Sequence, residues 1–412
     1  MLETLQQQLK QYPAKQYWLA LSGGLDSCVL LHMLHSLKIP VNAVHVHHGL
    51  SPNADHWAQF CAQLCADYQI PFVLKKARVI NQGKGIEDAA RAARYQMFSE
   101  ILQPGDVLLL AHHGDDQAET FFMRALRGSG VNGLAAMPVS RELNGAMLLR
   151  PLLTFSRSEL SAYAAQFGIR HIHDESNDNN RFERNYWRNA ILPQLWQRFP
   201  AGRSGLKNTL HALQQDKQLL QELMQPALQA CRAENGSLSL AAWQTLSALQ
   251  QDYVLRHWLL QITAQMPGQK LIQELMQQLQ AAADSEMCMR FADYEIRRYR
   301  QQAFCLPCLP TAPLVGLRLS LNSALPLGVL SGVVQLSDAE NYQVGFYAGG
   351  ESIRPVKRPS KSLKKLFQEA GIPPWLRDFW PLIYCADELL CIPGIALAEG
   401  ANPVLQQLHW QP

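Results

Sequence analysis

Apolar runs and helical patterns alternate along the first half of the chain. Strand-like and helical segments follow one another in the order 17–23, 26–38, 41–48, 57–68, 71–77, 86–102, 106–113 and 115–128. This alternation predicts an α/β domain, a parallel sheet with helices on both faces. Ligands of such sheets bind beyond the carboxyl ends of the strands. We therefore expect the polar residues that follow these strands to share one crevice.

The amino-acid composition changes after about residue 205. Gln, Leu and Ala then dominate with helical spacing, including a helix over 271–283, and a strand pair is predicted over 292–307. The segment 310–345 is rich in Pro and Leu and has weak strand signals. Beyond it lie a basic run, a helix over 362–371 and two short apolar strands. We predict an N-terminal domain over 1–210, a helical middle domain over 211–345 and a small α+β C-terminal domain over 346–412.

Composition excludes several classes of protein. Hydrophobic residues make up 48% of the 412 positions and charged residues 17%, which excludes a disordered or collagen-like chain. The net charge of +3 is uninformative by itself. Because no apolar run approaches the length of a membrane span and the N-terminus is too polar for a signal peptide, we expect a soluble, cytoplasmic protein without a membrane partner. Nine scattered cysteines are typical of reduced thiols.

The sharpest motif is SGGLDS, which follows a predicted strand and opens a predicted helix; we call residues 22–27 the phosphate turn. Two glycines allow a tight turn, and the N–H groups of the first helical turn then point at an anion. Asp26 would repel bare phosphate, so its carboxylate is predicted to hold Mg²⁺ that bridges phosphates. The turn has neither the Lys of a Walker A motif nor the G-x-G-x-x-G spacing. The predicted nucleotide-binding residues are Ser22, Gly23, Gly24, Leu25, Asp26 and Ser27.

The phosphate turn resembles the PP-loop of the N-type ATP pyrophosphatases, which adenylate their substrates and release pyrophosphate. Further segments, spread in order over the chain, resemble the tRNA(Ile)-lysidine synthetase family: HVHHGLSP (45–52), GIEDAARAARY (85–95), AHHGDDQAETFFMRALRGSGVNGLAAM (111–137), LLRPLL (148–153), HDESNDNNRFERNYWRN (173–189) and RPSKSLKKLFQEAGIPPWLRDFWPLIY (358–384). The resemblance implies a Rossmann-like, adenine nucleotide alpha hydrolase-like N-terminal domain.

The same resemblance implies an activity. It is that of a ligase forming a carbon–nitrogen bond, with ATP and Mg²⁺ as cofactors. Such an enzyme joins free L-lysine to C2 of the wobble cytidine of a CAU-anticodon tRNA(Ile) through an adenylated intermediate. The products are lysidine, AMP and pyrophosphate. The resemblance also suggests a homodimer.

Two acidic residues stand on one face of the helix after the fourth strand. Asp116 and Glu119 are three positions apart and point the same way. Spacing alone favours an exposed acidic first turn that interacts with the helix dipole. The resemblance instead assigns this pair to the ammonium groups of a lysine substrate.

Two arginine pairs are further candidates. Arg91 and Arg94 lie on one edge of an Ala-rich helix, where they would bind ATP phosphates or tRNA backbone, or form a solvated basic edge. The resemblance implicates an arginine of the segment that holds Arg184 and Arg188 in substrate binding, without saying which. The predicted catalytic residues are Asp26, Arg91, Arg94, Asp116 and Glu119; those for the lysine substrate are Asp116, Glu119, Arg184 and Arg188.

Five histidines end two of the predicted strands: His45, His47, His48, His112 and His113. A zinc hydrolase would gather them with nearby aspartates. However, neighbouring strand residues point to opposite faces, and the spacing matches no zinc-binding motif. We favour contacts with backbone or ribose.

The C-terminal unit carries a run of basic residues without an acidic residue among them. Such a run is usually a solvated face, but it can also hold phosphates regardless of sequence. The resemblance implies that this unit clamps a tRNA acceptor stem, while the middle domain binds the substrate tRNA and positions its stem and anticodon loop. The predicted tRNA-binding residues are Arg354, Lys357, Arg358, Lys361, Lys364 and Lys365.

Two other activities remain possible from the sequence. A tRNA thiolase could use the same turn, but it needs reactive cysteines, and Cys28 is the one close in sequence. A protein that binds tRNA without chemistry is the other. Two residues also depart from the family pattern. Gly114 stands where we expect a larger apolar residue, which predicts a looser turn, and Asp88 stands where Ala is usual.

Overall fold

The computed structural model describes residues 1–79, 85–280, 287–309, 317–318, 323–325, 328–331 and 342–411. The chain divides into two compact units, Met1–Leu223 and Met224–Pro412. No helix in the described part of the chain has the length and apolarity needed to cross a membrane.

The first unit contains an α/β domain. Its strands are β1 (Tyr17–Ala20), β2 (Val41–His47), β3 (Phe72–Lys76), β4 (Val107–Leu109), β5 (Ser140–Leu143) and β6 (Ala146–Leu149). Its helices are α1 (Leu2–Gln11), α2 (Leu25–Ser36), α3 (Ala54–Asp67), α4 (Ile86–Ile101), α5 (Gly114–Leu126), α6 (Val131–Leu134), α7 (Arg157–Gln166), α8 (Glu183–Tyr186) and α9 (Leu192–Arg198). A 3₁₀ turn covers Glu175–Asp178, a π-helical turn covers Trp187–Ile191, and α10 (Gly202–Cys231) runs across the division between the units.

The sheet has the order β3-β2-β1-β4-β6-β5. All neighbouring strands are parallel except β5, which pairs antiparallel with β6. The chain moves outward from β1 through β2 to β3 and then returns to place β4 on the other side of β1. The carboxyl ends of β1 and β4 therefore flank the point where the strand order reverses, which is where ligands of open α/β sheets bind.

Alternate strand residues build two separate cores, as the period of two in a strand requires. One face of the sheet, with Leu19, Ala43 and Leu109, packs against α1, α2, α3 and α7. The opposite face, with Val44 and Leu108, packs against α4. The prediction of a parallel sheet covered on both faces is confirmed.

The segment before α5 differs in detail from its prediction. The strand predicted over 106–113 ends at Leu109, and the following residues lead into the start of α5. Gly114 donates its N–H to the Phe155 carbonyl at 2.7 Å, and a Cβ at this position would lie 3.0 Å from the same oxygen. Gly114 therefore allows the helix to start close against the chain after β6. The expectation that this glycine loosens the turn is wrong.

The second unit holds a helical region with a small sheet and a separate sheet domain. Its further helices are α11 (Leu240–Gln244), α12 (Ala248–Thr263), α13 (Gln269–Gln280), α14 (Leu363–Glu369) and α15 (Pro374–Arg377), and a 3₁₀ turn covers Pro403–Gln407. Its strands are β7 (Leu238–Ser239), β8 (Cys288–Phe291), β9 (Tyr294–Tyr299), β10 (Gln302–Pro307), β11 (Leu317–Arg318), β12 (Ser323–Leu325), β13 (Gly328–Ser331), β14 (Tyr342–Phe346), β15 (Ser352–Ile353), β16 (Lys361–Ser362), β17 (Pro381–Cys385), β18 (Glu388–Ile392), β19 (Ala396–Leu397) and β20 (His409–Gln411).

Two apolar cores support this unit. In the first, α11, α12 and α13 pack with the sheet β7-β10-β9-β8. In the second, α14 packs with the sheet that contains β14, β17 and β18. The strand pair predicted over 292–307 is confirmed as β9 and β10. The last three residues of the helix predicted over 271–283, and most of the segment 310–345, lie outside the described residues.

Candidate active site

The phosphate turn connects β1 to α2 at the reversal point of the sheet. The Gly24 N–H donates to Ser22 Oγ at 3.3 Å, and the Ser27 hydroxyl donates to the Gly24 carbonyl at 3.0 Å. The two serine hydroxyls lie 3.1 Å apart. These bonds within the turn fix its shape. The first N–H groups of α2 have no partner within the helix and can donate hydrogen bonds to an anion.

Gly23 cannot be replaced without moving its neighbours. Its φ is +87°, and a Cβ at this position would lie 2.5 Å from Ile172 Cδ1 and 3.0 Å from Cys61 Sγ. The Ile172 N–H also donates to the Gly23 carbonyl at 2.9 Å. A side chain would therefore strain the backbone and collide with Ile172, so this position requires glycine.

Asp26, the second residue of α2, fits a metal ligand. Its Oδ1 atom is buried and has no hydrogen-bond partner among the described residues, whereas Oδ2 lies 2.6 Å from Arg157 Nη1. Burial raises the pKa of Asp26, and the charges of His113 and Arg157 oppose that shift. A buried carboxylate oxygen without a donor is the kind of ligand that Mg²⁺ prefers.

A buried histidine lies between the phosphate turn and the acidic pair. His113 is 1% exposed and precedes α5 directly. Its Nε2 atom lies 3.7 Å from Asp26 Oδ2 and 3.6 Å from Asp116 Oδ2. Its backbone N–H donates to Asp116 Oδ2 at 2.9 Å. The carboxylates predicted for metal and for lysine are therefore neighbours in one crevice.

The acidic pair is buried, and two arginines neutralise it. Arg184 donates from Nε to Glu119 at 2.6 Å and from Nη2 to Asp116 at 2.8 Å. Arg188 donates from Nε to Glu119 at 2.7 Å and from Nη2 to Asp116 at 2.8 Å. The side chain of Glu119 is fully buried and that of Asp116 is 7% exposed. An exposed acidic first turn, which spacing alone favoured, is therefore wrong.

Neighbouring charges outweigh the effect of burial on the pKa values of Asp116 and Arg188. Burial by itself would raise the pKa of Asp116, but His113, Arg184, His112 and Arg188 lower it well below the ordinary value. Burial likewise lowers the pKa of Arg188, and Glu119 more than restores it. Asp116 thus remains charged beside two guanidinium groups.

Arg94 and two histidines form a polar cluster near the acidic pair. Burial lowers the pKa of Arg94, and the neighbouring cations Arg91 and Arg184 lower it further. Burial also lowers the pKa of His48 to about 4 and that of His112 to about 3, so both imidazoles are neutral at pH 7. The Nδ1 atoms of these two histidines are buried and unpaired among the described residues. Each Nδ1 atom can therefore accept a hydrogen bond from a ligand or donate one to it.

Arg91 and His45 have different surroundings. The exposed Arg91 lies over the ring of Tyr95, with 5.1 Å from its Cζ atom to the ring centroid, rather than at the acidic pair. His45 contacts the backbone, with Nδ1 2.8 Å from the Leu21 carbonyl oxygen. Across the described ranges, no group of three or more His, Cys, Asp or Glu residues is arranged to hold a metal ion.

Sequence reasoning missed Arg157, which contacts the phosphate turn. Its backbone N–H donates to Asp115 Oδ2 at 2.7 Å, and the other oxygen of Asp115 lies 2.8 Å from Arg203 Nη1. A signal was available: Ser156 and Glu159 form a capping box that starts α7 after β6. A helix that begins there places its first side chain near the carboxyl ends of the strands.

The basic residues of the C-terminal unit are mostly exposed. Arg354, Lys357 and Arg358 line a hollow of about 550 Å³ together with Glu399, whose Oε2 atom lies 2.8 Å from Arg354 Nε. Lys361 pairs with Glu369 at 3.0 Å. Lys364 and Lys365 lie exposed on α14. Two of the six cations are thus neutralised by glutamates from outside the basic run.

Comparison with known proteins decides the family. A protein of Shigella flexneri named tRNA(Ile)-lysidine synthase is 36% identical, over 99% of this chain and 98% of its own length. The chain belongs to the tRNA(Ile)-lysidine synthase family. Relatives of that name from Serratia proteamaculans and Pectobacterium atrosepticum are each 39% identical, over 95% and 91% of this chain and over 94% and 89% of their own.

Three family models match separate parts of the chain. A PP-loop domain matches residues 1–195, a TilS substrate-binding domain 238–304 and a TilS substrate C-terminal domain 342–410. With the observed architecture, these matches confirm the predicted fold class. A U34-tRNA thiolase from Methanococcus maripaludis has 18% identity and a TM-score of 0.43, over 51% of this chain and 78% of its own. A similarity this weak favours neither activity.

Proposed function

We propose that this protein joins L-lysine to C2 of the wobble cytidine of a CAU-anticodon tRNA(Ile). In the first step, the cytidine oxygen attacks the α-phosphate of ATP and pyrophosphate leaves. In the second, the ε-amine of lysine attacks C2 and AMP leaves. The products are lysidine in tRNA, AMP and pyrophosphate. The family membership of the chain supports this reaction.

One observation carries the proposal: His113 lies between the carboxylate assigned to Mg²⁺ and the carboxylates assigned to the amino groups of lysine. Asp26 in the phosphate turn and Asp116 beside Glu119 both lie within 3.7 Å of His113 Nε2. A reaction in which ATP activates one substrate and an amine displaces AMP needs these two sites side by side.

The residues divide between the two steps. The phosphate turn would hold the β- and γ-phosphates by its N–H groups and serine hydroxyls. Asp26 Oδ1 would hold Mg²⁺, which, when bound, offsets negative charge on the departing pyrophosphate. Asp116 and Glu119 would bind the ammonium groups of lysine. Arg184 and Arg188, now paired with those carboxylates, would face the α-carboxylate of lysine.

The direct test is lysine transfer. The protein is incubated with radiolabelled lysine, ATP, Mg²⁺ and total tRNA, and the labelled tRNA is identified. We expect label in tRNA(Ile) with a CAU anticodon and none without ATP. Label in another tRNA, or ATP-independent labelling, would contradict the proposal.

A variant separates the two steps. Asp116→Ala should retain ATP–pyrophosphate exchange in the presence of the correct tRNA and lose lysine transfer, since its carboxylate is assigned to lysine. Loss of both reactions in a variant that is still folded at the assay temperature would assign Asp116 to ATP or metal binding instead. A protein that only binds tRNA would show no exchange at all.

The thiolase alternative needs a reactive thiol near the phosphate turn. Cys28 is fully buried, and burial raises the pKa of its thiol to about 12. Its Sγ donates to the Gly23 carbonyl at 3.2 Å. A buried protonated thiol is a poor nucleophile, so this residue supports the ligase rather than the thiolase.

The basic run of the C-terminal unit would bind the acceptor stem of the tRNA. The hollow formed by Arg354, Lys357 and Arg358 suits backbone phosphates, which are bound without regard to sequence. We also propose a homodimer in solution, which the molar mass from light scattering would test.

A further inference from the structure

The phosphate turn has no positively charged side chain of its own. Residues 22–27 contain one charged group, the carboxylate of Asp26. ATP adds several negative charges, and more charge gathers on pyrophosphate as it leaves. Catalysis of such a step needs fixed positive groups at the departing phosphates. Loops of the Walker A type carry a lysine for this purpose.

Arg157 reaches the turn from another element. Its Nη1 atom lies 2.6 Å from Asp26 Oδ2, although the two residues are 131 positions apart in the chain. The side chain is 45% exposed, so an incoming ligand has access to it. Its other guanidinium N–H groups have no acceptor among the residues that the structure describes. Arg188, the other arginine whose charge acts on Asp26, is already held by the acidic pair.

The backbone of Arg157 is fixed independently of its side chain. It is the first residue of α7, and the capping box of Ser156 and Glu159 fixes the start of this helix. The Arg157 N–H is bonded to Asp115 at 2.7 Å. The helix start would therefore survive truncation of the side chain. The guanidinium group is held at the turn and is not needed to anchor α7.

We propose that Arg157 binds the pyrophosphate portion of ATP and supplies the positive charge that the phosphate turn lacks. This inference rests on the proposed function of the turn as an ATP site. The planar guanidinium group can donate two parallel hydrogen bonds to phosphate oxygens. Its ion pair with Asp26 holds the group in place before the nucleotide arrives.

The test compares three ligands by calorimetry on the full chain with Mg²⁺: ATP, pyrophosphate and AMP. Arg157→Ala should weaken ATP and pyrophosphate binding about 10- to 100-fold, as expected for loss of hydrogen bonds to a charged group. AMP lacks the β- and γ-phosphates, so its affinity should not change. Arg157→Lys keeps the charge but loses the planar fork, and should recover part of the affinity.

Arg203→Ala is a matched control. The Arg203 side chain is also 45% exposed and also pairs with a carboxylate, that of Asp115, to which we assign no role in ligand binding. The Arg203→Ala variant should bind ATP, pyrophosphate and AMP with the affinities of the unaltered protein. Unchanged ATP and pyrophosphate affinities in Arg157→Ala would overturn the inference. An equal loss of AMP affinity would also overturn it, because that pattern indicates distortion of the whole site.

The ligand-binding test of Arg157 and the lysine-transfer test of the proposed function can fail independently of each other. If the unaltered protein binds ATP and pyrophosphate but labels no tRNA with lysine, the ligase proposal fails. The ligand affinities of Arg157→Ala still test whether Arg157 binds pyrophosphate in that case. If lysine transfer is observed and Arg157→Ala has unaltered affinities, only the assignment of Arg157 fails. A normal unfolding temperature of Arg157→Ala confirms that the ligand comparison concerns a folded protein.

Discussion

Replacing Glu119 by glutamine tests whether the buried charge group stabilises the first unit. Glu119→Gln keeps the size of the side chain and one acceptor oxygen. It removes the charge that faces Arg184 and Arg188, which donate to Glu119 at 2.6, 2.7 and 3.1 Å. The two guanidinium groups would then share the single carboxylate of Asp116.

The magnitude follows from burial. Removing one partner of a fully buried ion pair costs about 3–5 kcal/mol. The side chains of Arg184 and Arg188 are 28% and 30% exposed and keep some hydration, so we expect a loss of about 2–3 kcal/mol. For a unit of this size each kcal/mol lowers the unfolding temperature by about 2–4 °C, which gives a decrease of about 4–12 °C.

Thermal unfolding followed by circular dichroism measures this effect. Glu183→Gln is the matched control, since Glu183 pairs with Arg127 but the two side chains are 51% and 62% exposed. Exposed pairs contribute about 0.2–1 kcal/mol, so the control should unfold near the native temperature. If both variants unfolded at the same temperature, the buried charges would not stabilise the unit and our reasoning would be refuted.

Three other measurements test the structure further. Cys28→Ser should keep most of the lysine-transfer activity, since this thiol is buried and protonated, and loss of activity in a folded variant would favour the thiolase. Burial lowers the pKa of His112 to about 3, so between about pH 6.5 and 3 the unfolded chain binds a proton that the folded chain does not. The free energy of unfolding should therefore decrease as the pH is lowered from about 6.5 to 3. Urea unfolding of His112→Gln should show a smaller decrease, and an equal decrease would contradict the lowered pKa of His112. Replacing both Lys364 and Lys365 by alanine should lower the slope of log K against log salt for tRNA binding by about 0.9 per lost phosphate contact, and an unchanged slope would exclude them from the interface.

Local patterns in the sequence predicted the architecture well. The four β–α pairs of the first unit follow from the periodicity of apolar residues. Gly128, with a φ of +72°, is the left-handed glycine that commonly follows the end of a helix, here α5. The β5–β6 hairpin was missed although its turn signal is present. Asn144 and Gly145 have φ values of +51° and +80°, typical of the two-residue turns that connect antiparallel strands.

The site was predicted residue by residue but not as a set of contacts. Asp26 is recognisable from the motif of the phosphate turn, whereas Asp116 and Glu119 are singled out only by the resemblance to a known family. Their partners cannot be deduced in this way. Arg184 reaches Glu119 across 65 positions and Arg157 reaches Asp26 across 131. Periodicity reports which face of an element is buried and says nothing of which distant side chain meets it.

Ile172 connects the phosphate turn to the chain segment that leads to Arg184 and Arg188. It fills the space beside Gly23 and hydrogen bonds to it, and the chain then continues without a long detour to Arg184 and Arg188. A displacement of the phosphate turn would therefore also displace Ile172, from which the chain leads to the segment that carries both arginines.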